Sequence, residues 1–281
     1  MSETGTNIQI PADQNGSSHT VVARDYQHRL PIVNYNRDVS LGNVANEFGF
    51  EGFGYKTTAT PATVDVWDGP TATIPFPPDE GIQMQVVSSS AEDSAAGTGI
   101  RSLYIIYLDA DGNTQAELIT MNGATPVLTT ATDIRFLQFT YTATAGSVGE
   151  AVGTISIQSV GGVTTYGVII PGQNRSISSA RMIPAGMEFC LEFVNASATS
   201  KDRDPILAGL YATSLNGVRN ADDIFYMVTQ GSYANSTVHA HIDTSPVFPE
   251  LTKIKVKATF TGNTNATAIG HYVGVLRVSV S

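Results

Sequence analysis

Residues 101–121 read Arg101-Ser102-Leu103-Tyr104-Ile105-Ile106-Tyr107-Leu108, then Asp109-Ala110-Asp111-Gly112-Asn113, then Thr114-Gln115-Ala116-Glu117-Leu118-Ile119-Thr120-Met121. A run rich in aromatic and β-branched residues, a short Asp/Gly/Asn tract and a second apolar run make a β-hairpin. Working outward, the same grammar recurs. Residues 83–87, 133–141, 187–194, 225–229, 238–243, 253–260 and 273–280 read as strands, and residues 154–158 and 163–170 flank a Gly161-Gly162 turn. No stretch carries a sustained 3.6-residue period. Many short strands separated by turn signals predict an all-β fold, an antiparallel β-sandwich of jelly-roll type. The spacing is irregular, so no internal repeat is read.

The length of 281 residues allows one large β domain or two smaller ones. Residues 61–200 are expected to form the sandwich core. After a polar break at Ser200-Lys201-Asp202-Arg203-Asp204-Pro205, residues 201–281 complete that sandwich or form a second β subdomain. Residues 1–60 lack any period. They hold a polar stretch, Asp13-Gln14-Asn15-Gly16-Ser17-Ser18, and an aromatic–glycine tract, Phe48-Gly49-Phe50-Glu51-Gly52-Phe53-Gly54-Tyr55. Glycine frees the backbone while the rings supply contact area. The expectation is an extended N-terminal arm whose Phe48, Phe50, Phe53 and Tyr55 contact another surface. A segment folded back on its own domain is the other reading.

Charged residues make up only 14% of the chain, against about 25% in a typical soluble protein, while hydrophobic residues reach 42%. Thr, Ser, Asn and Gly fill the deficit. Such a surface costs little to dehydrate, because few ions must leave water, and a partner can cover much of it. This favours a permanent part of an assembly over a diffusing enzyme. The net charge of −10 argues against nucleic-acid binding, which needs clustered cations. Lys253, Lys255 and Lys257 form the one basic cluster. They alternate, so they are expected on a solvated or edge-protecting face of a strand. Cys190 is the single cysteine and reads as a small strand residue. The opening Met1-Ser2-Glu3-Thr4-Gly5 lacks the features of a signal peptide, and no apolar stretch has the length of a membrane span. Synthesis and assembly in a reducing cytoplasm are expected.

Two stretches invite a chemical reading. The Asp109–Asn113 tract places oxygen ligands at the first, third and fifth positions of a calcium-type loop, but Thr114 and Thr120 stand where Gly and Glu are needed. A plain hairpin turn explains it. In His239-Ala240-His241-Ile242-Asp243, strand alternation places His239, His241 and Asp243 on one face. Side chains two apart on a strand lie roughly 6.5–7 Å apart, which favours a polar strand face near a subunit boundary over a metal site. There is no G-x-S-x-G, P-loop, H-E-x-x-H or C-x-x-C. The acidic pairs Asp79-Glu80 and Asp222-Asp223 are adjacent and so diverge on a strand. No enzyme, metal or cofactor is expected.

One block carries a family resemblance. It begins at Val66-Trp67-Asp68-Gly69 and continues through Val86-Val87-Ser88-Ser89-Ser90-Ala91-Glu92-Asp93-Ser94-Ala95-Ala96-Gly97-Thr98-Gly99. It then runs through Leu108-Asp109, Glu117-Leu118, Met121-Asn122-Gly123-Ala124-Thr125-Pro126-Val127, Gly146-Ser147 and Gly153-Thr154-Ile155. In order and spacing this resembles a family of virion structural proteins of tailed bacteriophages, with Met121 in place of the usual Leu and Ala124 in place of a common Thr. The match spans about residues 60–158. It implies a structural protein, a capsid decoration protein or a head fibre, without catalytic residues. The resulting expectation is a capsid decoration (cement) protein located in the virion. Its partners would be the major capsid protein and further copies of itself as a homotrimer, since one patch then serves every copy at a three-fold position. A fibre, neck or tail component of the same virion is the alternative. Outside the virion, the alternative is a carbohydrate-binding sandwich.

Overall fold

The computed structural model describes residues 7–9, 20–22, 38–39, 41–58, 60–200, 206–215, 218–220, 223–233, 236–241, 246–262 and 266–279. The chain forms two compact units, Met1–Val44 and Ala45–Ser281. In the first, β1 (Asn7–Gln9) pairs antiparallel with β2 (Thr20–Val22).

The second unit opens with β3 (Glu47–Thr58) and β4 (Ala62–Asp65). Seven strands follow: β5 (Met84–Ser88), β6 (Ile100–Leu108), β7 (Thr114–Thr120), β8 (Val127–Leu128), β9 (Phe136–Ala145), β10 (Ile155–Ser159) and β11 (Thr165–Ile169). The remainder is β12 (Arg181–Met182), β13 (Met187–Ser200), β14 (Ile206–Ala212), β15 (Ser214–Leu215), β16 (Val218–Arg219), β17 (Tyr226–Tyr233), β18 (Ser236–His241), β19 (Val247–Phe248), β20 (Lys253–Phe260) and β21 (Ala266–Val278). Every pairing between these strands is antiparallel, and the fold is all-β.

Eight strands make the outer sandwich. One sheet runs β18-β13-β21-β3; the other runs β20-β14-β17, with β4 and β12 end to end along the free side of β20. Leaving out short β12, β15, β16 and β19, the strands in chain order run first, eighth, third, sixth across one sheet. Across the other they run second, seventh, fourth, fifth, which is jelly-roll order. Its core is aliphatic and aromatic: Phe189, Leu191, Leu210, Ile254, Phe260 and Tyr272 are among the buried residues.

Strands β5 to β11 are inserted between the second and third strands of this jelly roll. They form a second sandwich, with β11-β10-β5-β8 facing β7-β6-β9. Met84, Ile100, Leu103, Ile105, Ile134 and Ile155 fill it. A third cluster, Trp67, Ile74, Leu108, Phe136, Ala180 and Met182, joins residues of the insert to the segments that lead in and out of it.

Three expectations change. The aromatic–glycine tract lies in a body strand rather than an arm, since all of β3 pairs with β21, from Glu47 opposite Arg277 to Thr58 opposite Ala266. Its glycines are needed there. A Cβ on Gly52 would sit 2.3 Å from the Tyr272 ring, and one on Gly54 would sit 2.1 Å from the Val66 carbonyl oxygen. The division at residue 200 also shifts. Strands β14, β17, β18, β20 and β21 complete a sandwich, the first of the two readings, but its other strands are β3, β4 and β13 rather than those of the insert.

The third change concerns the lysines. Lys253 and Lys255 are 2% and 5% exposed, because β20 is a central strand. The segment after β4 and the one before β17 cover that face with Phe76 and Phe225. The Lys255 ammonium lies 4.2 Å from the Phe225 ring centre and 2.8 Å from Asp65. Lys253 pairs with Asp223 and stands 5.3 Å from the Phe76 ring centre. Burial lowers the Lys255 pKa, and Asp65 opposes that shift. Cys190 is half-buried in β13, and burial raises its thiol pKa, against the pull of nearby Arg277.

Residues 89–99 form a loop, as their small side chains imply. Asp93 is fully buried at its centre. Its carboxylate accepts hydrogen bonds from Ser88 Oγ (2.6 Å) and from the amides of Ile100 (2.9 Å), Val152 (3.0 Å) and Gly153 (2.8 Å). Four donors converging on one carboxylate tie β5, β6 and the approach to β10 together. At the tip of the β6–β7 hairpin, Asp109 accepts from the Asn113 amide and from Gln115, both at 2.9 Å. The turn itself therefore uses that carboxylate, and hydrogen bonding holds its pKa below the ordinary value.

Candidate functional site

Strand β6 is apolar on both faces. An antiparallel sheet with one solvated face normally alternates apolar with polar residues. Inward, Leu103 opposite Ile119 and then Ile105 are buried in the insert's core. Outward, Tyr104 stands between Leu118 on β7 and Tyr141 on β9, and Ile106 stands between Ala116 and Phe139. Leu118, Phe139 and Tyr141 are exposed. The rings of Phe139 and Tyr141 stack at 5.9 Å, and Tyr104 meets Tyr141 at 5.5 Å. Aromatic residues in register on one sheet face make a continuous contact surface.

This face runs into a cleft of about 670 Å³. One wall is β3, through Gly49, Phe50, Glu51 and Phe53; the opposite wall is β9, through Gln138, Phe139 and Tyr141. The segment that carries Arg175 and Arg181 closes it. Strand β3 is the terminal strand of its sheet, and among the described residues its outer edge pairs at one point, Phe53 with Ser178. Arg181 Nη1 donates to the carbonyls of Ser178 (3.0 Å) and Ala180 (2.7 Å), and its guanidinium lies 5.7 Å from the Phe139 ring centre. Burial lowers the Arg181 pKa, as does the like charge of Arg175, while Tyr272 and Glu51 pull it up. Glu51 faces His271 at 3.4 Å. Among the described residues no carboxylate lies within ion-pair distance of Arg175 or Arg181.

No family model and no curated protein matches the chain. Among solved structures, one of infectious bursal disease virus, Gx strain, aligns with 84% of this chain and 77% of that one, at 9% identity and a TM-score of 0.21. A likeness at that score carries no argument.

Of the residues singled out from sequence, Phe53 lines the cleft and lies 6.0 Å from the His271 ring. Phe50 borders the cleft but also packs edge-on against Phe189 in the jelly-roll core at 5.1 Å. Phe48 is exposed, and Tyr55 is half-buried with a phenol raised by burial and by Asp68. His239 and His241 stand on β18, opposite Asn195 and Phe193 of β13, at the far edge of the sheet from β3. Asp243 lies outside the described residues. The two sets of candidates therefore sit at opposite edges of one sheet. Phe139, Tyr141, Arg175 and Arg181 were not singled out from sequence. The available signal was the unbroken apolar run of residues 103–108, whose lack of alternation marks a strand with both faces destined for burial.

Proposed function

We propose that the protein is a virion structural protein, a capsid decoration (cement) protein of a tailed-phage head. The observation that carries the proposal is the aromatic outer face of β7-β6-β9. Among the described residues it is only partly covered, with Leu118, Phe139 and Tyr141 exposed, and it is too apolar to be a resting surface. The charge-poor composition supports the same reading, since covering this face and its surroundings displaces few hydrated ions. The resemblance block supports it too, because it spans the insert that presents the face. The partners proposed are the major capsid protein and, at a three-fold position, two further copies of this chain.

Quantitative protein analysis of purified particles tests the proposal. Copies stoichiometric with the major capsid protein support decoration. Tens of copies or fewer point to a fibre, neck or tail component, and absence from the particle refutes the proposal.

A further inference from the structure

We propose that the cleft between β3 and β9 captures an extended acidic peptide, which adds as a strand to the free edge of β3. The inference names the partner chemistry of the docking face and rests on the reading above only in taking that partner to be a protein. Three features converge in the cleft. The first is the open edge. Strand β3 spends one side on β21 and, among the described residues, leaves main-chain groups along the other, apart from the contact at Phe53. Nothing lies within 4 Å of where a Cβ on Gly49 would be, so the sheet face beside that edge is open to the side chains of an added strand. A strand adds at about 4.8 Å from its neighbour through main-chain hydrogen bonds, and alternate side chains supply the specificity.

The second feature is the apolar lining. Phe53, Ile106, Phe139, Ile177, Pro184 and Leu276 present hydrocarbon to one side of such a strand. The uncharged polar lining is limited to Thr114, Gln138, Tyr141 and Ser176, so the charged groups carry the polar recognition. The third is charge. The chain carries a net −10, yet the cleft holds two arginines without a carboxylate partner among the described residues, and its one acid, Glu51, faces His271. A guanidinium half-removed from water beside an aromatic ring binds carboxylate strongly and in a fixed plane. The occupant is therefore a β-strand with apolar residues facing the sheet wall and a carboxylate placed at Arg175 and Arg181.

The test is selection from a displayed library of short random peptides against the whole chain. The expected winners alternate apolar with acidic residues. Their affinity should fall at least tenfold when the acid is replaced by its amide or when Arg175 is changed to Ala, and should recover only in part in Arg175→Lys. Hydrogen exchange on the complex should show new protection in the amides of residues 49–53. Winners lacking acids, binding indifferent to Arg175→Ala, or a selection without cleft-dependent binders would each overturn the proposal. So would an oligogalacturonate that binds the cleft in place of every peptide. These outcomes are read on isolated protein, so they stand apart from whether the chain is found on a particle.

Discussion

The two sandwiches of the second unit solve the same problem in different ways. The insert is built from neighbours: β6 turns straight into β7, β10 into β11, and its largely apolar interior is tied by a few buried polar groups, foremost Asp93 with its four donors. The jelly roll is built from strangers. Strand β3 must find β21, more than two hundred residues away, and lysines and carboxylates are buried against its central strand β20. Local pairing makes the insert's structure readable from short stretches. The jelly roll depends on charges and pairings that make sense only once distant segments have met.

The sharpest way to break this contrast is at Asp65. It is 1% exposed, accepts the Ile74 amide at 2.7 Å and pairs with Lys255. Asp65→Ala leaves a buried ammonium without its counter-charge, and it should cost about 4 kcal/mol in denaturant unfolding. The paired change Asp65→Leu with Lys255→Met should recover most of that loss. If the single variant costs no more than the double, the ion pair is not what holds β20 to its cover.

In the insert, Asp93→Asn keeps the shape but turns an acceptor into a donor that faces other donors. A loss of about 3 kcal/mol is expected. If the sandwiches unfold as one, both variants will show a single shifted transition. An early transition confined to the insert amides by hydrogen exchange would show that the two are separable.

A smaller effect tracks pH. Burial raises Asp68 to about 7, against the Ile177 amide and the Lys56 charge. Its folded pKa lies above its unfolded value, so the folded state holds the proton longer, and stability falls as pH rises. The loss should run from about pH 4 to about pH 7, flatten above, and stay below the roughly 4 kcal/mol that a shift of about three units would give without solvent screening. Asp68→Asn should flatten the dependence of Tm on pH across that window. An unchanged slope would place the titration elsewhere.

The smallest stability change belongs to the proposed docking face. Leu118→Ser should move stability by no more than about 0.5 kcal/mol, because its side chain is 52% exposed. The same variant should lose binding to particles in a co-sedimentation assay. Full binding by this variant would take the outer face of β7-β6-β9 out of the contact.

Much of the insert was legible. The hairpin at residues 101–121, the small-residue loop after β5 and the turn at Asp109 follow from local composition, and so does the all-β class. The N-terminal boundary was not, because Phe-Gly repeats look like a linker until Tyr272 fills the space that Gly52 leaves. Nor was the burial of Lys253 and Lys255. Alternation places them on one face, but only Asp65, Asp79 and Asp223, brought from three other parts of the chain, make that face an interior one. The cleft escaped for the same reason: Arg175 and Tyr141 are joined by an isolated backbone bridge rather than by any shared motif.

The position of β21 has a consequence for how the protein is made. It lies between β13 and β3 and pairs with both along nearly its whole length. During synthesis the insert has all its strands by residue 169, and it can close while the chain downstream is still being added. The jelly roll at that moment holds β3 with no neighbour in its sheet, an open aromatic edge waiting through more than a hundred further residues. Slow pairing of distant strands is when chains meet the wrong partner. The strand proposed to receive a peptide along one edge in the finished molecule is thus the one whose opposite edge most needs a chaperone before β21 arrives.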